Sequence, residues 1–497
     1  MPTAYRSARE RSAYGLPILA GQVIFGLSTL VLFAVVMSWN QLGKPFTPGT
    51  SANIAYALLA LHVALVFRRV SAMDPVIWVP AALLIFHFGT PFVIETMGLH
   101  PEGGYDPWEG GSAPFLDRGY AVALLATVAF LFGIHLGGVR PLADDPRREP
   151  VRDHALGLSA VLFMLGALMM VAAGIAIVGP RTVFGLYGDW WAAKASGVDQ
   201  RWVDIGLVFS EAGVFALFAT DEPRQRWRRW LAYAATPVVA AIAIGKGDRT
   251  GLIALGVGAG WCYAQRVRRL PWTPVLAAAF FALVVMPVIG EWRAERSLEA
   301  SKRQTVSELL GASIYNMGSS VNTIVFTVEM IPREKAYAWG ETFWFAALQA
   351  IPNIGLSKGK EFAEGDSMVP SNWLAWIISP QWAAAGGGYG FSMAAEWHYN
   401  YGLVGVAGGM ILVGWAVARA RNAARNSSLA LVWSATLFAG VAIWVRNVVG
   451  YALKVALWPI VGLWMIQQML RLVRGRSHAR GERAAASNGS AAPSLHG

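Results

Sequence analysis

Residues 119–138 read "GYAVALLATVAFLFGIHLGG" and contain no Asp, Glu, Lys or Arg. About 20 consecutive apolar residues suffice for a helix to cross the hydrocarbon core of a bilayer. The chain as a whole has the same character, because 55% of its 497 residues are hydrophobic and only 14% are charged. Soluble domains carry about 25% charged residues. We therefore predict an all-α polytopic membrane protein.

Similar apolar runs recur along the chain and predict about 12 transmembrane helices. The predicted spans lie near 15–37, 51–67, 73–95, 119–138, 156–178, 203–220, 231–245, 250–265, 272–290, 392–417, 428–445 and 448–469. The first run is too long for the apolar part of a signal peptide, so we expect it to be retained as a span.

These spans divide the sequence into four regions. We predict an N-terminal transmembrane region over 1–290 with about nine spans, and a large, mostly helical loop over 291–391. A C-terminal transmembrane region with about three spans follows over 392–470, and a disordered basic tail over 471–497.

The basic residues predict which side of the membrane each connection faces. More than half of the 41 Lys and Arg residues lie in the termini and in alternate short connections, such as Arg68 and Arg69 or Arg419, Arg421 and Arg425. The positive-inside rule assigns such segments to the cytoplasm. Both termini are then cytoplasmic and the large loop is extracytoplasmic. The net charge of +11 thereby reflects topology, and we expect no nucleic-acid partner.

The stretch "GKGDRT" (245–250) places a charged turn between two predicted spans on the extracytoplasmic side. Arg249 falls in the first turn of a helix, where a cation is unfavourable unless an anion is bound nearby. Free amides, Arg249 and Lys246 together could hold a pyrophosphate. The alternative is that Arg249 pairs with Asp248 and extends to the membrane interface.

Other arginines occupy comparable positions. Arg446 and Arg181 each lie at the extracytoplasmic end of a predicted span, and several guanidinium groups together bind phosphates well. Arg293 and Arg296 begin the large loop among acidic residues, so a solvated helix with internal ion pairs is an alternative for them.

Residues 386–402, "GGGYGFSMAAEWHYNYG", follow the large loop. Ser392, Glu396 and Asn400 are four residues apart, so a helix places them on one face. Glu396 could act as a general base, or it could form a structural ion pair with Arg249 or Arg446. His398 projects from roughly the opposite face and is either an alternative base or an interfacial residue.

Several signals of other chemistries are absent from the sequence. It contains no phosphate-binding P-loop, no Rossmann fingerprint and no H-E-x-x-H pattern, so we expect no cofactor and no metal. Its single cysteine, Cys262, excludes an intrachain disulfide.

The chain resembles the Wzy-type oligosaccharide repeat-unit polymerases, also called O-antigen polymerases, and more distantly the O-antigen ligases. The resemblance rests on the many-span layout with one large late loop, and on "GFSMAAEWHYNYGLVG" (390–405), which is similar to the G-F-S…A-E…N-F/Y-G pattern of the family. It also rests on the arginine that opens a span in "GKGDRTGL" and on the Arg-x10-Gly spacing between Arg249 and Gly260.

This resemblance implies a metal-independent, GT-C-like glycosyltransferase in the bacterial inner membrane. It would transfer a growing glycan from undecaprenyl pyrophosphate to the nonreducing end of a new lipid-linked repeat unit, with inversion. Arginines would stabilise the pyrophosphate, and a carboxylate or histidine would accept the proton. Lipid-linked oligosaccharides and membrane lipid are the implied partners, with a chain-length regulator and a flippase as further candidates.

Two alternatives remain open at this stage. An O-antigen ligase-like enzyme would use a different acceptor, although the ligases are discussed with a histidine in the large loop and this chain has none between His154 and His398. A transporter or flippase would place charged residues at mid-membrane depth, often within a two-fold repeat.

Overall fold

The computed structural model describes most of the chain. The described residues are 2–43, 45–99, 113–140, 154–185, 189–190, 193, 196–198, 200–220, 226–246, 249–273, 275–277, 279–280, 306–351, 369–384 and 390–489. Within these ranges the chain forms helices and no strands, which confirms the predicted all-α fold.

The described residues before the large loop include ten α-helices. They are α1 (Pro2–Met37), α2 (Trp39–Leu42), α3 (Pro48–Val66), α4 (Pro75–Pro91), α5 (Ala113–Gly137), α6 (His154–Val178), α7 (Pro180–Phe184), α8 (Arg201–Ala219), α9 (Arg226–Lys246) and α10 (Arg249–Arg266). A 3-10 turn, Phe67–Arg69, extends α3, and a π-helical turn, Phe92–Thr96, extends α4.

Eight helices among the described residues are long and apolar enough to cross a membrane. They belong to α1, α3, α4, α5, α6, α8 and two helices after the large loop. Helices α9 and α10 form where the seventh and eighth spans are predicted, but they are not among these eight. The ninth predicted span, 272–290, lies largely outside the described residues.

Helix α5 lies at the centre of the bundle. In its apolar 18-residue stretch, 89% of the residues of α5 are buried, whereas the corresponding share for α1 is 22%. Helix α5 is therefore surrounded by protein, and α1 exposes its side chains at the periphery. Helix α5 also lies very close to the helix that contains Ile411. A Cβ at Gly133 of α5 would collide with the carbonyl oxygen of Ile411, so only glycine fits there. Small residues at such crossings are typical of helix packing in membranes.

Most of the described part of the large loop is helical. It comprises α11 (Val306–Gly318), α12 (Val321–Met330), α13 (Glu341–Ala350), α14 (Pro370–Ile378) and α15 (Pro380–Ala384). Gly89 of α4 packs against Ile314 of α11, and Gly119 of α5 packs against Val325 of α12. These helices therefore cover one end of the bundle, which we call the loop end.

Three helices complete the fold: α16 (Met393–Ala423), α17 (Ser428–Trp444) and α18 (Val449–Gly489). Helix α18 continues through most of the segment after residue 470, for which the sequence predicts disorder. The Ala-, Arg- and Glu-containing stretch "ARGERAAA" (479–486) has high helix propensity, which accounts for the continuation.

Helix α16 is interrupted at Gly402, whose φ of 62° and ψ of −150° are not helical. The ring of Tyr337 lies where a side chain at this position would be. After the break, Gly405 and Gly409 pack against Trp397. Residues 403–423 alone give about 30 Å of helix, the thickness of the hydrocarbon core. The preceding part, 393–401, is therefore a separate short helix at the loop end.

The opposite end of the bundle, which we call the basic end, is held by a buried ion pair. Arg421 and Asp74 are both fully buried and 2.7 Å apart. The guanidinium also donates to the backbone oxygens of Arg69 (3.0 Å) and Arg140 (2.7 Å). The sequence assigns Arg421 to a cytoplasmic connection, and the structure shows that its buried side chain joins three connections. These contacts place three of the basic segments at one end of the bundle.

Candidate active site at the loop end

The carboxylate of Glu396 is buried where α16, α17 and α18 meet. Its Oε2 accepts hydrogen bonds from the indole Nε1 of Trp444 (2.7 Å) and from the backbone N–H of Val449 (2.8 Å), the first residue of α18. The hydroxyl of Thr342 donates to the same carboxylate. A negative group is favourable at a helix N-terminus. In the described structure these donors, and not an arginine, are its partners.

Asn400 lies one turn further along and is also fully buried. Its Nδ2 donates to the hydroxyl of Thr342 (2.6 Å) and its Oδ1 accepts from the backbone N–H of Gly340 (3.0 Å). Because Glu396 and Asn400 share Thr342, they lie on one helix face, as their spacing predicts. The amide attaches α13 to α16. Ser392 precedes this segment at the N-cap position, and its hydroxyl contacts Nε2 of His87 (2.9 Å) instead of capping the helix.

These contacts predict a small effect for Glu396→Gln and a large one for Glu396→Ala. An amide oxygen can still accept from Trp444 and Val449, so we expect the glutamine variant to keep its activity within about threefold. Alanine leaves the donors of Trp444, Val449 and Thr342 without this acceptor, at about 1–3 kcal/mol for each donor that stays unsatisfied. The measurement is thermal unfolding and polymer formation of purified protein. An inactive but stable glutamine variant would instead identify Glu396 as the base.

His398 is buried within the protein, which differs from the interfacial position considered for it. Its ring lies 6.1 Å from that of Tyr337, and its Nδ1 is buried without a hydrogen-bond partner among the described residues. The positive charge of Arg118 is close enough to act on the ring. Buried polar atoms of this kind are normally paired, so Nδ1 is a candidate contact for a ligand.

Arg118 lies in the first turns of α5. In the described structure it forms no ion pair, and its Nε is buried without a hydrogen-bond partner. Arg333, by contrast, stacks on nearby Phe115 (5.5 Å) and pairs with Glu334 (3.0 Å). Among the described residues, Arg118 therefore has no counter-ion, and its positive charge acts on the imidazole of His398. A guanidinium N–H without an acceptor is suited to bind an anion.

Aromatic rings line the same end of the bundle. A continuous series of ring contacts runs through Tyr337, Trp339, Tyr401, Phe343, Trp397 and Trp444. Trp339 is 73% exposed and Trp344 of the same loop is 69% exposed. Lys335 lies over the rings of Trp373 and Tyr399, at 5.6 Å from each. Exposed aromatic faces beside cations are suitable for stacking on sugar rings.

Arg446 belongs to this end as well. Its guanidinium stacks on the ring of Phe86 at 5.7 Å, and its carbonyl oxygen accepts the backbone N–H of Phe391 (3.2 Å). Gly390, with a φ of 70°, approaches the same carbonyl. The glycine-containing approach to α16 thus packs against the α17–α18 connection, which brings Arg446 to the segment that carries Glu396.

Lys246 and Arg181 form a second group. Lys246 is paired with Asp204 at 2.5 Å and lies over the ring of Trp190 at 5.5 Å. Arg181 belongs to the short helix α7, whose Phe184 packs against Gly245. The structure therefore brings Arg181 and Lys246 to neighbouring elements, but Lys246 already has a carboxylate partner.

Arg249 begins α10, as the sequence predicts, although its side chain is outside the described structure. Helices α10 and α17 are antiparallel, because Arg266 bonds to Ser428 (3.3 Å) and Trp261 to Ser434 (3.3 Å). If the two helices continue side by side in this register, the start of α10 at Arg249 lies near the end of α17 at Val445. The start of α10 thus lies at the same end as Arg446.

Arg293 and Arg296 lie outside the described residues, as does Asp248. Arg118, in contrast, is not among the residues that the sequence singles out. The sequence singles out Arg249 and Arg446 because each is an arginine at the end of a span on the side of the large loop. The same criterion applies to Arg118. Only the structure distinguishes it, because its lack of an ion-pair partner within the described residues depends on the tertiary fold.

Comparison with known families supports one identity. The model of the family O-antigen polysaccharide polymerase Wzy matches residues 207–473, which is more than half of the chain. Comparison with curated proteins and with solved structures found no match. The matched stretch contains α16 with its Glu396 segment, the arginines at 249 and 446, and the whole of the large loop, while Arg118 precedes it. The chain therefore belongs to the O-antigen polysaccharide polymerase Wzy family.

Proposed function

We propose that this protein polymerises oligosaccharide repeat units linked to undecaprenyl pyrophosphate, on the extracytoplasmic face of the bacterial inner membrane. The observation that carries the proposal, within the polymerase family, is that the Nε of Arg118 and the Nδ1 of His398 are both buried without a hydrogen-bond partner among the described residues, and that the charge of Arg118 acts on the His398 ring. Both lie at the end of the bundle covered by the large loop, among aromatic residues suited to saccharides.

The basic end of the bundle supports the proposed sidedness. Arg421 contacts the segments of Arg69 and Arg140, and Arg266 contacts Ser428. Segments that the positive-inside rule assigns to the cytoplasm thus meet at one end of the bundle. The loop end is then extracytoplasmic, which is where a lipid-linked glycan awaiting polymerisation would be bound.

The reaction requires an anion site and a proton acceptor. A hydroxyl of the acceptor sugar attacks the anomeric carbon of the donor glycan, the bond from that carbon to the pyrophosphate oxygen breaks, and the pyrophosphate leaves with both bonding electrons. Arg118 would stabilise the charge that develops on the leaving group. His398 would accept the hydroxyl proton at Nδ1. Inversion follows from a single direct displacement.

In this proposal Glu396 and Asn400 are positioning residues. Their side chains hold 393–401 against α13 and α18 and thereby orient His398. Arg446 and Arg249, at the same end, are the candidates for further contacts to the pyrophosphate. Trp339 and Trp344 are the candidates for stacking on the glycan.

The test is the glycan pattern of a deletion strain with and without the wild-type gene. We expect the deletion to remove long glycans and to leave products that carry a single repeat unit, and we expect the gene to restore the full ladder. Purified protein should also convert lipid-linked repeat units into polymer. Loss of every glycan-capped product would indicate a ligase, and accumulation of lipid-linked units on the cytoplasmic face would indicate a flippase.

A further inference from the structure

Helix α13 carries an apolar stripe that no described part of the protein covers. Its exposed apolar residues recur at three- and four-residue spacing and therefore share one helix face. They are Trp344, Ala347, Leu348 and Ile351, the residue that follows the helix. The three large side chains are between 43% and 69% exposed. A contiguous row of exposed apolar side chains indicates a surface that contacts a further apolar phase or partner.

The opposite face of α13 packs on the start of α18. A Cβ at Gly450 would lie 3.4 Å from the Cβ of Ala346, and the indole Nε1 of Trp458 donates to the backbone oxygen of Ala350 at 2.6 Å. The part of α18 that is long and apolar enough to cross a membrane begins at Val449. Helix α13 therefore lies beside the first turns of a membrane-length helix.

The direction in which the stripe points follows from α18. Leu457 and Val461 come seven and eleven residues after Gly450, which is about two and three helical turns, so they lie on the side of α18 that α13 covers. Both side chains are exposed, as is expected on the lipid-facing side of a membrane-length helix. The stripe on the outer side of α13 points the same way, out of the bundle.

The end of α13 is adapted to an apolar environment. The helix has ten residues and is about 15 Å long at 1.5 Å per residue, which is half the thickness of the hydrocarbon core. A helix that ends within a membrane leaves carbonyl groups that only the protein can satisfy. The indole of Trp458 donates to the carbonyl of Ala350, the last residue of α13. A helix that ended in water would not need this donor.

We propose that α13 is inserted into the membrane leaflet at the loop end and that Ala347, Leu348 and Ile351 contact its acyl chains. Inserted helices of this kind bury their apolar face about 5–10 Å into the boundary between headgroups and acyl chains. Trp344, one turn nearer the start of α13, lies at the headgroup level and stays available to a glycan. The large loop is thereby anchored in the membrane. This proposal goes beyond the polymerase reaction and does not depend on it.

The experiment is site-directed spin labelling of the full-length protein in nanodiscs of phosphatidylglycerol and phosphatidylethanolamine. The single cysteine, Cys262, is buried, so the wild-type protein is the blank. Nitroxides are placed by Leu348→Cys and Ile351→Cys on the stripe, and by Leu457→Cys on the exposed side of α18. Power saturation compares oxygen, which concentrates in lipid, with a water-soluble nickel complex. We expect both labels on the stripe to resemble the Leu457→Cys label and to lie about 5–10 Å below the headgroup boundary.

Glu341→Cys is the matched control, because Glu341 begins the same helix and is exposed on the same side of it, about two turns before Leu348. Its label should be reached by the nickel complex. All four labelled positions are exposed, so the labels do not disturb the packing. Nickel access to either label on the stripe equal to that at Glu341→Cys would overturn the proposal, because the stripe would then face water. Labels on the stripe that neither reagent reaches would also overturn it, since another protein surface would then cover α13.

Discussion

Replacement of Arg421 by alanine is expected to destabilise the folded protein by about 3–5 kcal/mol, because it leaves the buried carboxylate of Asp74 without a counter-ion. The side chains of Arg421 and Asp74 are both 0% exposed. The variant also leaves the carbonyl oxygens of Arg69 and Arg140 without that donor. Lysine cannot restore the paired geometry of a guanidinium, so Arg421→Lys should be only partly stable.

The measurement is the thermal unfolding of purified protein, with membrane yield recorded beside it. Arg419→Ala, two residues away on the exposed side of the same helix, is the control and should unfold like the wild type. An Arg421→Ala variant with wild-type yield and melting temperature would show that the ion pair is not required for folding.

Arg118→Ala is expected to lower the rate of polymer formation by about 10²–10³-fold, the usual effect of removing one group that stabilises a developing negative charge. Because Arg118 has no ion-pair partner in the described structure, the melting temperature should stay close to that of the wild type. Arg118→Lys should recover part of the rate, since it keeps the charge and loses the paired donors.

The control for Arg118 is Arg333→Ala. Arg333 lies nearby, is exposed and already pairs with Glu334, so its removal should leave the rate unchanged. Equal rates for Arg118→Ala and the wild type would exclude Arg118 from the anion site. A fall in melting temperature that matches the fall in rate would assign it a structural role instead.

Local sequence was sufficient for the parts of the fold that depend on composition and periodicity. The apolar runs predicted the helices that are long enough to cross a membrane. The four-residue spacing of Glu396 and Asn400 predicted their common face. Each of these features is decided within a few helical turns.

Features decided by distant contacts were not predictable in this way. The burial of Arg421 depends on Asp74, which is 347 positions earlier in the chain. The interruption at Gly402 depends on the ring of Tyr337, which fills the space beside it. Likewise, the partners of Glu396 come from helices α17 and α18 and from Thr342, and neither periodicity nor charge specifies them.

The attachment between α13 and the first part of α16 has a consequence for motion. Ala338 and Trp339 donate their backbone N–H groups to the carbonyl oxygens of Tyr399 and Asn400, and Gly340 donates to the Asn400 side chain. These elements therefore move as one rigid body. A long saccharide that widens the site would displace both together, so the hinge that admits it lies outside this attachment.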